Sequence, residues 1–169
     1  DKKNKGRKFL LRGDKSWLIV PGSKNPIAVT ANQRMLGASS FADLARVRLA
    51  QDYTGSLRPD TEPCGQPAQP CRVVEIASTV KSAPYASGTL WIDAAGLMQK
   101  AVYRLASGKV AKEIVYRYRD DNGTTVPAGL SLRDLLLPDN PGKTTLEYLD
   151  VRPAEHPAGW FNPESQIKH

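Results

Sequence analysis

The sequence predicts a mainly β (α+β) fold in which a curved antiparallel sheet forms an incomplete, or half, barrel. Three observations favour this fold class. Roughly ten short β patterns follow one another along the chain, and turn sequences separate them at regular spacing. Only one segment has the apolar repeat of an amphipathic helix. Strands joined by short loops indicate antiparallel hairpins, because parallel strands require long crossover connections.

Length and composition limit the possible classes of protein. A chain of 169 residues with 40% hydrophobic and 24% charged residues can bury the core of one globular domain. We therefore expect a single domain over residues 1–169. No apolar run approaches the ~18–20 residues that a membrane-spanning helix needs. Two His and two Cys are too few for a zinc ribbon, so we expect no metal and no other cofactor.

Three strands are predicted ahead of the helix. Residues 7–12 and 16–20 are short apolar runs, and the hairpin turn sequence Gly13-Asp14 separates them. Residues 27–30 resume the pattern with β-branched side chains.

Residues 40–49 form the predicted helix. Phe41, Leu44 and Leu49 recur with a period of about 3.6 residues, and Ser40 is a suitable N-cap. We expect the side of this helix that carries Phe41 and Leu44 to cover the concave face of the sheet.

The rest of the chain is predicted to be almost entirely β. The expected strands are residues 53–58, 72–79, 87–93, 97–106, 109–119, 126–132 and 144–152. A Pro-rich loop over residues 59–70 interrupts them, and short turn sequences separate the others. Bulky apolar groups on both faces of residues 110–118 indicate strong curvature, since a flat half-wetted sheet would alternate more cleanly.

The two cysteines, Cys64 and Cys71, enclose six residues that include two prolines and a glycine. Such a segment turns back easily, and this brings two Cα atoms within disulfide distance. The spacing excludes a CxxC redox pair, and metal binding lacks further ligands. We therefore predict a structural disulfide and, with it, an oxidising compartment such as a bacterial periplasm or the extracellular space.

Most of the net charge of +7 comes from the first twelve residues, which carry six Lys and Arg against one Asp. A nucleic-acid-binding domain usually clusters such charge on a folded face and interleaves aromatic residues. Here the cluster precedes the first apolar run, so we interpret it as a solvated basic arm or a protected strand edge. We predict no nucleic-acid partner; an arm that meets anionic lipid or an acidic partner is the alternative.

Catalytic motifs are missing from the sequence: it contains no GxSxG, HExxH, Walker or GxGxxG pattern. Asp93 and Glu113 are the candidate acid/base pair. However, Asp93 precedes Ala-Ala-Gly, where Asp usually caps a turn, and Glu113 is more simply an ion partner of Lys109, Lys112 or Arg117. We predict no catalytic residue and no enzymatic activity.

Six aromatic residues fall in or beside strand patterns, and core packing is the simplest explanation for each. As a set inside a curved sheet they would instead line a hydrophobic ligand cavity. They are Trp17, Trp91, Tyr103, Tyr116, Tyr118 and Tyr148.

A series of short motifs runs through residues 7–163. In chain order they are Trp17-Leu18-Ile19-Val20-Pro21, Asn32-Gln33-Arg34-Met35-Leu36-Gly37, Phe41-Ala42-Asp43-Leu44, Asp52-Tyr53-Thr54, Tyr85, Leu90-Trp91-Ile92-Asp93, Gly108-Lys109 with Lys112, Pro127, Lys143-Thr144 and Phe161-Asn162-Pro163. In this order they resemble the periplasmic LolA-like family, in particular the outer-membrane lipoprotein-sorting branch that often accompanies RND-type exporters. Family members usually have an N-terminal helix and strand before the position of Arg7, and we expect that portion either to be missing here or to lie outside residues 1–169.

The resemblance implies a half-barrel with a helix lid, which binds acyl chains of a lipoprotein or lipid in the Gram-negative periplasm. Burial of each CH₂ is worth ~0.8 kcal/mol, so acyl chains need a shield when they cross water. The residues expected to line the cavity are Trp17, Ile19, Leu90, Ile92, Tyr103 and Val115, with Phe41 and Leu44 on the lid helix.

Two roles are compatible with these sequence features. The first is a monomeric carrier or sensor of acyl chains for outer-membrane sorting, with an inner-membrane RND-type transporter as a candidate partner. The alternative is a non-catalytic interaction module of an envelope or RND-type transporter complex, whose cavity is filled by its own side chains.

Overall fold

The computed structural model describes residues 6–13, 15–29, 34–36, 39–40, 47–136 and 143–167, with the backbone alone for 34–36 and 39–40. The chain divides into two compact units. The terminal unit comprises Asp1–Gln33 and Arg152–His169, and the sheet unit comprises Arg34–Val151. Each unit is described by itself.

The terminal unit contains a small antiparallel sheet of order β1-β2-β3. Its strands are β1 (Lys8–Arg12), β2 (Lys15–Ile19) and β3 (Ile27–Ala28), and a 3-10 helix follows at Pro163–Gln166. Leu10 and Ile19 lie on one face of this sheet and are buried. On the same face, the Lys8 Nζ donates a 3.2 Å hydrogen bond to the Gln166 Oε1.

The sheet unit is an antiparallel meander. Its elements are β4 (Arg34–Leu36), β5 (Ser39–Ser40), α1 (Leu49–Asp52), β6 (Tyr53–Cys64), β7 (Gln69–Ser78), β8 (Ser87–Ile92), β9 (Met98–Arg104), β10 (Val110–Asp121), β11 (Thr124–Asp134) and β12 (Lys143–Glu147). Strands β6 to β12 form one seven-stranded sheet in sequence order, and β4 pairs with β5. The sheet is curved, and β6 and β12 remain its two edges in the described chain, so it is not closed into a barrel. The predicted fold class is confirmed.

The turn between β10 and β11 forms where the turn sequence predicts it. Asp121 pairs with Thr124, so the loop between β10 and β11 consists of Asn122 and Gly123 alone. Both residues have positive φ, 54° and 82°. Asn-Gly tolerates this backbone better than other dipeptides, and the resulting twist suits a two-residue hairpin.

The cysteine hairpin is more regular than predicted. We expected a loop over residues 59–70, but β6 continues to Cys64 and β7 begins at Gln69. A register irregularity between Leu57 and Thr61 accommodates the first proline. Because β6 is an edge strand of the described sheet, prolines that lack an N–H are tolerated there.

The predicted helix over residues 40–49 differs from the helix that the structure describes. Ser40 belongs to β5, residues 47–48 have no regular structure, and α1 begins only at Leu49. Residues 41–46 lie outside the described residues, and with them both predicted lid residues, Phe41 and Leu44.

Helix α1 is a single turn with one strong local interaction. The Arg48 guanidinium donates two 2.9 Å hydrogen bonds to the Asp52 carboxylate. Tyr53 then adopts an extended backbone and starts β6. Within the described residues, no helix has the length and apolar character needed to cross a bilayer.

Candidate functional site

The core of the sheet unit lies on one face of the seven-stranded sheet, which we call the inner face. Cross-strand pairing aligns Leu90, Ala101, Ile114 and Leu132 in one row across β8 to β11. Their exposed fractions are 4%, 0%, 1% and 0%. The centre of the inner face is therefore filled by the protein's own side chains.

A second row on the inner face contains a buried ion pair. Gly88, Tyr103, Lys112 and Asp134 are successive cross-strand partners. The Lys112 Nζ donates a 2.9 Å hydrogen bond to the Asp134 Oδ2, and both residues are buried. Because a lone buried charge is costly, Lys112 and Asp134 each require a counter-charge in this row.

Tyrosines close the end of that row. The rings of Tyr85 and Tyr103 stack with their centroids 5.0 Å apart. The Tyr53 hydroxyl donates a 3.0 Å hydrogen bond to the Tyr85 carbonyl. A Cβ on Gly88 would lie 2.8 Å from the Val102 carbonyl oxygen and 3.1 Å from the Tyr103 ring, so this position requires glycine for close packing.

An open pocket lies near the β12 edge of the same sheet, and we call it the bulge pocket. A β-bulge shifts the register between Arg117 and Tyr118 opposite β11, and the local sheet bends there. The pocket has a volume of about 390 Å³, within the range of about 300–1,000 Å³ that is typical of small-molecule sites. Its lining residues are Tyr116, Arg117, Tyr118, Pro127, Gly129, Tyr148 and Val151.

Backbone contacts hold the walls of the bulge pocket in place. The Tyr118 hydroxyl donates a 2.9 Å hydrogen bond to the Met98 carbonyl. The Arg119 guanidinium donates a 2.6 Å hydrogen bond to the Tyr148 carbonyl, which ties the segment after β12 to β10. A Cβ on Gly129 would overlap the Leu146 carbonyl oxygen, so a glycine is needed where β11 and β12 approach.

Tyr116 and Tyr118, which line the bulge pocket beside Arg117, are uncharged at neutral pH. Burial raises the pKa of Tyr116 to about 12, although a hydrogen bond with Tyr103 opposes the shift. Burial also raises the pKa of Tyr118, and its hydrogen bond to Met98 opposes that shift. Neutral phenol rings with a proline and a valine form a surface that suits an apolar ligand.

The predicted cavity residues of the sheet unit fall on both faces. Leu90, Ile92 and Tyr103 belong to or pack against the inner-face cluster. Val115 pairs with Lys100 and Ser131 on the opposite face and is exposed. The inner-face assignment of Val115 was wrong by one residue, because side chains alternate along a strand and Ile114 takes the inner position.

The other predicted cavity residues, Trp17 and Ile19, lie on one face of β2 in the terminal unit. Ile19 is buried with Leu10, and Trp17 is half-buried. Within that unit they lie on the face that carries the small core around Leu10.

The predicted disulfide is present. Cys64 and Cys71 are bonded to each other, with their Cα atoms 5.8 Å apart, at the end of the β6–β7 hairpin. Both cysteines are buried. The bond links the edge strand β6 to β7, and neither cysteine lines the bulge pocket.

The two carboxylates considered as an acid/base pair, Asp93 and Glu113, have structural partners. Asp93 accepts hydrogen bonds from the Leu97 N–H at 2.8 Å and the Gln99 Nε2 at 2.7 Å, so it caps the β8–β9 turn. Glu113 lies on the outer face and pairs with Lys100 at 2.9 Å and Arg133 at 3.1 Å.

The partners predicted for Glu113 along its own strand were wrong, because cross-strand neighbours lie closer than residues along one strand. The Lys100 hydrogen bond holds the pKa of the Glu113 carboxyl below its usual range. Among the described residues, no group of three or more His, Cys, Asp or Glu side chains is arranged to hold a metal ion.

Three tyrosines of the predicted aromatic set line the bulge pocket. Tyr116, Tyr118 and Tyr148 were in the aromatic set considered for a cavity, and the Tyr-x-Tyr alternation was the available signal. Pro127 and Val151 were not proposed as lining residues. Their role depends on the bulge and on the chain path after β12, which no local pattern indicates.

Comparisons with known proteins agree on the fold. A protein-family model described as "Uncharacterized protein" matches residues 1–165. No curated protein matches the sequence at a significant level. Among solved structures, the chain is similar to a LolA superfamily protein from Nitrosomonas europaea, with a TM-score of 0.77 and 23% identity over 98% of this chain and 74% of that chain.

Two further crystal structures are similar. One is a putative outer membrane lipoprotein-sorting protein domain from Vibrio parahaemolyticus, with a TM-score of 0.76 and 17% identity over 94% of this chain and 68% of that one. The other is a DUF1329 family protein from Desulfovibrio piger, with a TM-score of 0.74 and 15% identity over 94% and 67% of the two chains. The resemblance to LolA-like proteins is confirmed for the fold.

Proposed function

Because the chain belongs to the family whose model matches residues 1–165 and has a LolA-like fold, we propose that it binds acyl chains of lipids or lipoproteins. It would act as a periplasmic carrier or sensor in outer-membrane sorting. The observation that carries this proposal is the bulge pocket, an open apolar pocket of about 390 Å³ at one end of the inner face. No catalytic role is part of the proposal.

The binding chemistry follows from the lining of the pocket. Tyr116, Tyr118 and Tyr148 offer flat apolar rings, and Pro127 and Val151 add aliphatic surface. An acyl chain gains ~0.8 kcal/mol for each CH₂ that leaves water. The Tyr118 hydroxyl donates to the Met98 carbonyl and the Tyr116 hydroxyl is hydrogen-bonded with Tyr103, so an acyl chain that covers these two rings leaves both hydroxyls with a partner.

The cellular location is supported by two features. The Cys64–Cys71 disulfide is typical of an oxidising compartment. One solved structure with the same fold is described as an outer membrane lipoprotein-sorting protein domain. We therefore place the protein in the periplasm in this proposal, with an inner-membrane transporter of the RND type as its candidate partner.

Calorimetric titration with laurate below its micelle concentration tests the proposal. We expect saturable micromolar binding with a negative heat-capacity change, because apolar surface is buried. Val151→Asn, in the pocket, should weaken binding about tenfold, which is about 1.4 kcal/mol. Val115→Asn is the matched control on the outer face and should leave the affinity unchanged. Thermal melts of both variants separate a loss of binding from a loss of folding.

A second function is favoured by the filled centre of the inner face. Leu90 and Tyr103 are buried by the protein's own side chains, as expected of an interaction module without a ligand cavity. In that case the wild type binds no acyl probe, and Ile92→Asn lowers only the melting temperature. Saturable laurate binding that Val151→Asn weakens would exclude this second function.

A further inference from the structure

The net charge of the protein is concentrated in the terminal unit. This unit carries ten Lys and Arg against four Asp and Glu, whereas the sheet unit carries fourteen against thirteen. The described basic residues of the terminal unit are all exposed. They are Arg7, Lys8, Arg12, Lys15, Lys24 and Arg152. A surface of this kind attracts a polyanion.

Exposed aromatic residues lie in the same unit. Trp160 and Phe161 are 41% and 55% exposed. Their turn is held by a 3.0 Å hydrogen bond from the Trp160 N–H to the Pro157 carbonyl and by a 2.6 Å hydrogen bond from the Gln166 Nε2 to the Trp160 carbonyl. The two large rings are therefore fixed near the surface by a built turn.

One cation, Arg12, and one aromatic ring, Phe161, line the same hollow. A hollow of about 320 Å³ is lined by Arg12, Gly159, Phe161 and Asn162. Lys15 is the direct cross-strand partner of Arg12, so both cations lie on the same face of the small sheet. We call this area, defined by Arg12, Lys15, Trp160 and Phe161, the basic aromatic face.

We propose that the basic aromatic face docks the protein on an anionic lipid surface. Lys and Arg are attracted to anionic headgroups, and each such cation near the membrane raises the binding affinity about fivefold. Tryptophan and phenylalanine are suited to the boundary between headgroups and acyl chains. This docking is independent of the acyl-chain pocket, because it uses only residues of the terminal unit.

The arrangement of the rings favours lipid over nucleic acid. The His156 ring stacks on Trp160 with centroids 5.0 Å apart and planes at 14°, so one face of the indole is already covered. His156 also contacts Phe161 edge to face. Stacking of nucleotide bases needs open ring faces, whereas insertion into a lipid interface needs only apolar bulk.

Vesicle sedimentation at low and high salt tests the proposal. The wild type should bind phosphatidylcholine vesicles that contain 30 mol% phosphatidylglycerol, and salt should weaken the binding because the attraction is electrostatic. Arg12→Gln with Lys15→Gln should reduce the affinity about 25-fold. The matched control is Lys81→Gln with Lys109→Gln, which removes two exposed charges from the sheet unit. Equal loss in the two double variants would overturn the proposal, since net charge alone would then explain the binding.

A second measurement tests the role of the aromatic residues in this docking. Lipids brominated on their acyl chains should quench tryptophan fluorescence in the wild type and much less in Trp160→Phe, which keeps an aromatic ring. No binding to anionic vesicles would overturn the proposal. Binding to polyglutamate without binding to vesicles would also overturn it, in favour of an acidic protein partner. Laurate titration of the Arg12 and Lys15 variant should match the wild type, so failure here is distinguishable from failure of the acyl-chain proposal.

Discussion

The sheet unit and the terminal unit differ in where they place their apolar and charged residues. The sheet unit has a row of apolar residues that pair across four strands and are almost fully buried, and its charges nearly balance. In its described residues, the terminal unit has three short strands, a small core around Leu10 and Ile19, and large rings near its surface. A long meander buries side chains from several strands at once, whereas a small sheet has too few neighbours to cover all its apolar groups. We therefore expect the stability of the fold to depend on the sheet unit. We expect surface contacts with other molecules to depend on the terminal unit.

The largest expected effect concerns the buried ion pair of the sheet unit. Lys112→Met should lower the free energy of unfolding by about 3–5 kcal/mol, because the buried Asp134 carboxylate loses its cation. Lys143→Met, on the exposed edge strand, should change it by less than ~0.5 kcal/mol. Urea unfolding measures both.

A double variant sharpens that result. Lys112→Met with Asp134→Leu should recover most of the loss, since the double change removes both charges of the pair. If the double variant is no more stable than the single one, the ion pair has a packing role that charge alone does not explain.

The next effect compares two leucines of opposite exposure. Leu132→Ala should cost about 2–5 kcal/mol, because it opens a cavity in a fully covered row. Leu149 is 88% exposed, and Leu149→Ala should cost less than ~0.5 kcal/mol. Equal melting temperatures for the two variants would contradict the described inner-face core.

The smallest expected effect is a pH dependence. The pKa of Tyr116 is raised from its ordinary value of 10.0 to about 12, so between these values the unfolded tyrosine ionises while the folded one keeps its proton. The unfolded state then binds fewer protons, and stability falls as pH rises, by about 1.4 kcal/mol per pH unit. Below pH 10 the contribution of this group is constant.

Tyr116→Phe removes that contribution. It leaves in place Tyr53 and Tyr118, the other two tyrosines whose pKa is raised. Its unfolding free energy should therefore fall less steeply than that of the wild type between pH 10 and 12. Identical slopes in urea titrations over this range would show that Tyr116 is not buried as described.

Much of the fold could be predicted from local patterns. The predicted segments at residues 87–93 and 97–106 contain the observed strands β8 and β9 with small changes at the ends. Local chemistry also determined the Asn122-Gly123 hairpin, because few other dipeptides accept positive φ at both positions. The cysteine pair could be predicted because its loop is short and rich in turn residues.

The candidate site was less predictable, as the error at Val115 demonstrates. Strand position alone does not decide which of two neighbours faces the core, and one step along the strand exchanges Val115 for Ile114. Burial of Tyr103 likewise depends on Tyr85 and Lys112, which lie on other segments of the chain.

The sequence by itself determined the approximate positions of the seven strands of the large sheet, the Asn122-Gly123 turn and the disulfide, because these depend on side chains within a few residues of each other. Only the tertiary structure decided that the centre of the inner face is filled and that the opening lies at the bulge between β10 and β11. The physical reason is that packing and pocket shape depend on cross-strand register between distant segments. A single extra residue at Ala128 shifts that register and bends the sheet next to the pocket.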